Sequence, residues 1–212
     1  KEKILFSADG FGKFSALSKT EGEDDWPCEA RRYYFNIVGK YGAPVQTLLK
    51  KASALDIAMI CPLHGPVLKD NLGYYLGLYN TWSSYQPEDK GILIAYASIH
   101  GNTAKAAEKL AEMLREKGAE KVVVSDLARE DMAEVIEDAF RYDRMILAAA
   151  SYDAGVFPCM QDFLHHLQSK AYQNRKVGIM ENGSWAPTAA RTMKSILETM
   201  KNIEIVEPVV TI

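Results

Sequence analysis

The residues best suited to binding chemistry lie in three short segments that combine glycine with hydroxyl, amide and aromatic side chains. The first segment consists of Ser98, Ile99, His100, Gly101, Asn102 and Thr103. It joins a predicted strand to a predicted helix, so N–H groups and two hydroxyls lie at a helix N-terminus, which favours a phosphate. Neither the GxxxxGKS/T pattern of a P-loop nor the GxGxxG pattern of a dinucleotide site is present there. The alternative is a plain turn capped by Ser98 or Asn102.

The other two segments place aromatic side chains beside glycine, which suits the stacking of a planar ring. The second segment includes Ser151, Tyr152, Asp153, Ala154, Gly155 and Phe157, and the third consists of Asn182, Gly183, Ser184 and Trp185. Tyr152 and Phe157 are suited to flank a ring, Gly155 permits close backbone approach, and Trp185 is a stacking candidate. The alternatives are aromatic side chains that pack on a neighbouring helix and a surface tryptophan that covers a helix end.

Alternating apolar and amphipathic runs position these segments and predict a parallel, doubly wound α/β sheet. The predicted strands are 92–97, 122–125, 145–150, 176–180 and 203–211, and the predicted helices are 102–117, 132–140, 160–169 and 188–200. In a sheet of order 2-1-3-4-5, the first, third and fourth strands are neighbours, and ligands bind at the carboxyl ends of the strands. We therefore expect the three segments to form one site.

Composition excludes several other classes of protein. The 212 residues carry a net charge of −3, so the basic excess of a nucleic-acid binder is missing. No apolar run approaches the roughly 20 residues that span a bilayer. Three widely spaced cysteines favour reduced thiols and a cytoplasmic location over a disulfide framework.

A polar, turn-rich stretch at 80–91 predicts a linker, and we expect two domains, 1–84 and 85–212. The first of these has two short predicted strands, 4–7 and 57–60, and helical runs at 29–50 and 72–82. The sequence begins with Lys rather than Met and ends in a predicted strand, with no fifth helix after it. We therefore expect both ends to be trimmed.

The three segments together resemble the phosphate loop and the two isoalloxazine loops of flavodoxin-like domains. The stretch 95–103 is most similar to the flavodiiron proteins, also called A-type flavoproteins. The resemblance implies a flavodoxin-like sheet that binds FMN through all three segments. His100 stands where an ordinary flavodoxin carries Thr, and Asp153 stands where the flavodiiron family often has Asn. A carboxylate near the ring would disfavour a reduced anionic flavin.

The resemblance also covers the first part of the chain, through the stretches 5–12 and 61–66. It implies a partial metallo-β-lactamase-like αββα segment before the flavodoxin-like sheet, with Asp9 and His64 as ligands of a di-iron centre. Carboxylate and imidazole suit non-haem iron. Taken alone, Asp9 predicts a turn before Gly10, His64 predicts an ordinary loop histidine, and Cys61 with His64 forms only half of a zinc site. The family's H-x-E-x-D-H motif does not occur in this sequence, so the ligand set is incomplete.

The resemblance implies a flavodiiron oxidoreductase, in which FMN relays electrons to a di-iron site that reduces O2 to water or NO to N2O. It further implies a homodimer and a rubredoxin-like electron donor. The alternative is an FMN-binding electron-transfer module without metal catalysis, which the missing iron ligands favour. A third interpretation, a remnant of a metal-dependent hydrolase, conflicts with the three flavin-type segments.

Overall fold

The computed structural model describes residues 2–14 and 26–212, and the chain divides into two compact units, 1–86 and 87–212. The described residues of the first unit form β1 (Ile4–Ala8), α1 (Trp26–Tyr33), α2 (Gly42–Ala52), β2 (Met59–Pro62) and α3 (Leu72–Ser83). Strands β1 and β2 pair in parallel, with Phe6 opposite Cys61. Between α1 and α2 the chain forms a π-helical turn, Tyr34–Val38, and a 3₁₀ turn, Gly39–Tyr41.

The core of the first unit is built from aromatic side chains. Tyr34 and Tyr79 meet edge to face with ring centroids 5.1 Å apart, and Tyr79 lies 5.3 Å from Trp82. All three are almost fully buried. Large aromatic rings remove much apolar area from water per residue, so they stabilise a unit whose described residues form two short strands.

The second unit is a parallel α/β sheet with helices packed against it. Its strands are β3 (Asp89–Ala97), β4 (Val122–Asp126), β5 (Tyr142–Tyr152), β6 (Gly155–Val156), β7 (Arg175–Asn182) and β8 (Ile203–Thr211). The parallel strands follow the order β4-β3-β5-β7-β8, and β6 pairs with β5 as an antiparallel extension. This confirms the predicted 2-1-3-4-5 sheet. The apolar run of β3 is buried almost throughout, as expected for a central strand covered on both faces.

The helices of the second unit are α4 (Asn102–Glu116), α5 (Met132–Arg141), α6 (Pro158–Ser169) and α7 (Ala189–Leu197). Ala107 and Ala111 of α4 pack on Ile92 and Ile94 of β3, where small side chains allow the helix to lie close to the sheet. Local sequence sets the helix ends: the Asp131 carboxylate accepts the Ala133 N–H at the start of α5, and α6 begins at a proline. No helix in the described part of the chain has the length and apolar character required to cross a membrane.

Strand boundaries differ from the sequence-based expectations mainly in length. Strand β3 begins at Asp89, three residues before the predicted start, because Asp89 pairs with Tyr142 of β5. Helix α3 extends through Ser83. The stretch between regular elements, 84–88, is therefore shorter than the predicted linker.

Candidate functional site

The carboxyl ends of β3, β5 and β7 enclose an open cleft of about 590 Å³. Its lining residues are Ser98, Ile99, His100, Asn102, Thr103, Ala150, Ser151, Asn182, Gly183, Ser184 and Ile212. The first and third predicted segments thus supply most of the lining, and the second contributes its first residue. The volume falls within the range of about 300–1,000 Å³ that is typical of small-molecule and cofactor sites.

The first segment turns the N-terminus of α4 toward the cleft. Gly101 precedes the helix with a φ of +84°, and its N–H donates to the Ser98 hydroxyl at 3.0 Å. No side chain caps α4, so the first N–H groups of a 15-residue helix keep their capacity to bind an anion. A Cβ at Gly101 would point into open space. The donor set and the open space fit a phosphate group.

A hydrogen bond joins the first and third segments across the cleft. The side-chain amide of Asn182 donates to the Thr103 hydroxyl at 2.8 Å, and Thr103 is almost fully buried. The hydroxyl accepts this bond through its oxygen and keeps its own proton to donate to a ligand. The bond therefore fixes the distance between the two loops while preserving a donor.

Gly183 allows the second and third segments to approach closely. A Cβ at Gly183 would lie 3.0 Å from both the Ser151 hydroxyl and the Pro187 Cα atom. The Ser151 hydroxyl accepts the N–H groups of Thr188 at 2.7 Å and Ala189 at 3.2 Å, so it caps α7. Ser151 thus has a structural task in addition to lining the cleft.

Beyond Ser151, the second segment forms a β-hairpin. Asp153 and Ala154 both have positive φ values, +46° and +56°, and they connect the paired residues Tyr152 and Gly155. Two such residues between antiparallel strands form a type I′ turn. The left-handed positions are therefore Asp153 and Ala154, while Gly155 lies in β6.

The aromatic candidates lie beside the cleft lining. The rings of Tyr152 and Phe157 meet edge to face, with centroids 5.6 Å apart and planes at 70°. This contact leaves no parallel slot between them for a third ring. Trp185, which follows the lining residue Ser184, is 99% exposed. Its indole is thus available to pack on a ligand.

Sequence reasoning missed Ala150, Ile212 and the support supplied by Glu181. Glu181 is buried at the end of β7, where its carboxylate accepts the Ala190 N–H at 2.8 Å and its carbonyl accepts the Ile212 N–H at 2.9 Å. The bond from Ile212 holds the end of the chain after β8 beside the cleft, and the bond from Ala190 joins β7 to α7. The available signal was an acidic residue directly after the apolar run 177–180, where a carboxylate beside buried residues is expected to accept hydrogen bonds.

In the first unit, the structure brings the two proposed metal ligands together. The Nε2 atom of His64 lies 3.8 Å from Oδ1 of Asp9, and both side chains are more than half exposed. The Tyr33 hydroxyl donates to the same Asp9 oxygen at 3.1 Å. Burial, followed by this hydrogen bond to Asp9, raises the pKa of Tyr33 to about 12.

Within residues 2–14 and 26–212, no group of three or more His, Cys, Asp or Glu side chains is arranged to hold a metal ion. His165 and His166 are exposed on α6, and His166 lies 3.7 Å from Asp162. Asp9 and His64 are two suitable donors, but two donors alone do not complete a di-iron centre.

A family model described as "Flavodoxin domain" matches residues 93–207, which is more than half of the chain. The chain belongs to the flavodoxin domain family. The matched stretch includes all three predicted segments, so the family match covers the same part of the chain as the cleft.

Relatives and solved structures extend the similarity beyond this domain. The anaerobic nitric oxide reductase flavorubredoxin of Aliivibrio fischeri is 26% identical over 195 residues, which cover 87% of this chain and 38% of that protein. The flavodiiron protein of Giardia intestinalis superposes with a TM-score of 0.86 at 22% identity, over 98% of this chain and 54% of the other. The rubredoxin oxygen:oxidoreductase of Desulfovibrio gigas superposes with a TM-score of 0.85 at 21% identity, over 98% of this chain and 55% of the other. The chain spans about half the length of the curated relatives it matches first. At these identities the structural likeness shows the fold.

Proposed function

We propose that the cleft binds FMN and that residues 85–212 act as the electron-transferring domain of a flavodiiron-type oxidoreductase. The observation that carries the proposal is the uncapped N-terminus of α4, joined by the Asn182–Thr103 hydrogen bond to the glycine-containing loop after β7. This arrangement provides phosphate donors at one end of the cleft. FMN, when bound, supplies the capacity to accept and pass on electrons.

Under this proposal, different residues bind the phosphate and the ring of the flavin. Helix N–H groups and the hydroxyls of Ser98 and Thr103 suit the phosphate. The backbone at Gly183 and the side chain of Ile212 give the ring a close and partly apolar surface. We assign Trp185 and Tyr152 the task of covering the ring, since both are exposed and each follows a lining residue.

For residues 1–84 we propose a metallo-β-lactamase-like segment whose Asp9 and His64 belong to a di-iron centre. The support is their separation of 3.8 Å at the ends of paired parallel strands, together with the structural likeness to flavodiiron proteins over almost the whole chain. The described residues supply too few ligands for that centre, so we derive no catalytic step through iron. Reduction of O2 or NO, a rubredoxin-like donor, a homodimer and a cytoplasmic location belong to this proposal.

A second candidate function is electron transfer by FMN alone. It is favoured by the lack of a third metal donor beside Asp9 and His64 among the described residues. Under this alternative the first unit has no chemical role of its own, and the cleft between the three loops is the only redox site we assign.

One experiment separates these proposals: the visible absorption spectrum and the metal content of the same purified sample. We expect flavin bands near ~375 and ~450 nm, with FMN released on denaturation. About two iron atoms per chain would support the oxidoreductase, whereas FMN without iron would support the electron-transfer module. If the chain binds no FMN even when the flavin is added, the main proposal is wrong.

A further inference from the structure

Asn182, which lines the cleft, is the one asparagine in the sequence that is followed by glycine. Asparagine is a chemically labile residue, because the backbone nitrogen of the next residue attacks its side-chain amide. Glycine permits that attack most easily, since it has no Cβ to shield its nitrogen or to restrict its backbone. The other asparagines precede larger side chains: Asn36, Asn71, Asn80, Asn102, Asn174 and Asn202.

The reaction at this peptide needs water and no other reactant. The nitrogen of Gly183 forms a bond to Cγ of Asn182 and gives up its proton, while the side-chain nitrogen takes up a proton and leaves as ammonia. Water then breaks one C–N bond of the resulting cyclic imide, which leaves aspartate or isoaspartate in place of Asn182. No atom is oxidised or reduced in either step.

Asn182 lies at the boundary between the sheet and an exposed loop. It is the last residue of β7, where it pairs with Ala150 of β5. The five residues that follow, 183–187, are all exposed, so water reaches this loop. The side-chain amide of Asn182 donates to the Thr103 hydroxyl at 2.8 Å. This bond restrains the amide from turning toward Gly183, so we expect local opening of the loop to set the rate of the reaction.

Either product disrupts the donor arrangement of the cleft. The amide of Asn182 donates to Thr103, whereas a carboxylate accepts, so the Thr103 hydroxyl would have to donate its own proton to the new carboxylate. That proton is the one we assign to the phosphate, and a negative charge is added to the same cleft. Isoaspartate also adds one carbon to the main chain beside Gly183, where even a Cβ would lie 3.0 Å from the Ser151 hydroxyl.

We propose that the Asn182–Gly183 peptide is a deamidation site at which the cleft loses affinity for a phosphorylated flavin, and that bound FMN delays the reaction. The part that concerns FMN rests on the proposed function, whereas the chemistry of the peptide does not. A ligand that binds the closed loop stabilises it against opening, so the attack on the amide becomes slower. Binding and modification therefore oppose each other at one residue.

The first test is peptide mapping by mass spectrometry while the folded chain is incubated at pH 8 and 37 °C, with and without excess FMN. We expect Asn182 to be converted faster than any other asparagine, and FMN to slow its conversion about fivefold, the effect of one retained hydrogen bond. Asn102 is the internal control, because it is exposed in the same cleft but precedes Thr103. Conversion no faster at Asn182 than at Asn102, or a rate that FMN leaves unchanged, would overturn the proposal.

The variant Thr103→Val tests the restraint on the amide. Without the hydroxyl acceptor the Asn182 side chain is released, so conversion in the flavin-free chain should become about fivefold faster. Thr47→Val, an exposed change on α2, should leave the rate at the wild-type value. Equal rates in Thr103→Val and the wild-type chain would show that the hydrogen bond does not protect Asn182.

The second test is fluorescence titration of Asn182→Asp with FMN and, separately, with riboflavin. We expect the FMN dissociation constant to rise about tenfold and the riboflavin constant to change little, because riboflavin has no phosphate. Retained riboflavin binding also shows that the variant is folded around the cleft. Asn202→Asp makes the same chemical change at an exposed position outside the cleft lining and should bind both flavins as the wild-type chain does.

The outcomes of the two tests separate this proposal from the proposed function. Unchanged FMN affinity in Asn182→Asp would overturn the proposal while leaving the FMN site intact. Failure of the freshly purified wild-type chain to bind either flavin would instead overturn the FMN site, and with it the part of the proposal that concerns FMN. Peptide mapping without flavin would still decide whether Asn182 is a deamidation site.

Discussion

The cleft of the second unit and the Asp9–His64 pair of the first arise in the same way but reach different states of completion. Both lie where parallel strands end, so main-chain topology brings distant residues together in each. Three sets of contacts support the cleft: the Asn182–Thr103 hydrogen bond, the Ser151 hydroxyl that caps α7, and the buried Glu181 carboxylate. The side chains of the Asp9–His64 pair are more than half exposed, and the Asp9 carboxylate accepts a hydrogen bond from the Tyr33 hydroxyl. A binding site therefore needs supporting contacts as well as suitable residue types.

The largest expected effect comes from filling the space at Gly183. In Gly183→Val the new Cβ meets Ser151 and Pro187 at 3.0 Å, so the second and third loops must separate. We expect the FMN dissociation constant to rise about 100-fold, corresponding to nearly 3 kcal/mol. Fluorescence titration measures the affinity, and urea unfolding shows that the sheet persists.

Gly77→Val is the matched control for this change. Gly77 lies in α3, and a Cβ there has nothing within 4 Å. FMN affinity should stay at the wild-type value, because the added side chain points into open space in the other unit. Equal losses in the two variants would mean that Gly183 has no special role in shaping the cleft.

A smaller effect is expected from Thr103→Val, which keeps the shape of the side chain but removes the hydroxyl. Asn182 loses its acceptor at a buried position, and the phosphate loses a donor. We expect FMN affinity to fall about tenfold, as for one buried hydrogen bond, and Thr103→Ser to restore most of it. Thr47→Val, an exposed change on α2, serves as the control. Full affinity in Thr103→Val would show that the bond between the loops is dispensable.

The sequence predicted the sheet well because its signals are local. The first four parallel strands of the second unit contain short apolar runs, and a helix lies between each of them and the next parallel strand. That alternation has few topological solutions. The first and third segments could be placed at the cleft for the same reason, since each directly follows a strand. Their residues needed no long-range information to reach the carboxyl edge.

The hairpin after β5 was not predicted because its turn signal is weak. Asn-Gly or Asp-Gly marks a type I′ turn, whereas Asp153-Ala154 places an alanine at a left-handed position. In the sequence, Gly155 was instead the residue expected to permit close backbone approach. The role of Ile212 depends on pairing between β7 and β8, which is a tertiary contact and leaves no local trace in the sequence.

The variant Tyr33→Phe tests the hydrogen bond that supports Asp9 in the first unit. Removing the hydroxyl that donates to Asp9 should lower the free energy of unfolding by about 1 kcal/mol near pH 7. In the wild-type chain the raised pKa of Tyr33, about 12, means that the folded state keeps a proton that the unfolded state loses from pH 10 upward. Stability should therefore fall between pH 10 and 12, and Tyr33→Phe should lack part of that fall.

Urea unfolding at pH 7 and at pH 11 measures both quantities. Because burial also raises the pKa of Tyr34 and Tyr79, the informative value is the difference between the wild-type chain and Tyr33→Phe. Tyr41→Phe, at a half-exposed position, should change neither value. An identical alkaline loss in Tyr33→Phe and the wild type would show that Asp9 does not hold the phenol proton.

The smallest expected effect concerns the potential of the flavin in Asp153→Asn. Asparagine adopts the left-handed conformation that the type I′ turn requires, so the change removes a charge and keeps the hairpin. An exposed carboxylate beside the ring disfavours the reduced anion by about 0.5 kcal/mol, so the one-electron potential should become less negative by about 20 mV. Spectroscopic redox titration at low ionic strength measures the shift, and 1 M salt should abolish it, since the Debye length then shrinks to about 3 Å.

Asp162→Asn on α6 removes a comparable exposed charge away from the lining residues and should leave the potential unchanged. An unchanged potential in Asp153→Asn would place the hairpin tip beyond electrostatic reach of the ring, and the cleft would then be tuned by its lining residues alone.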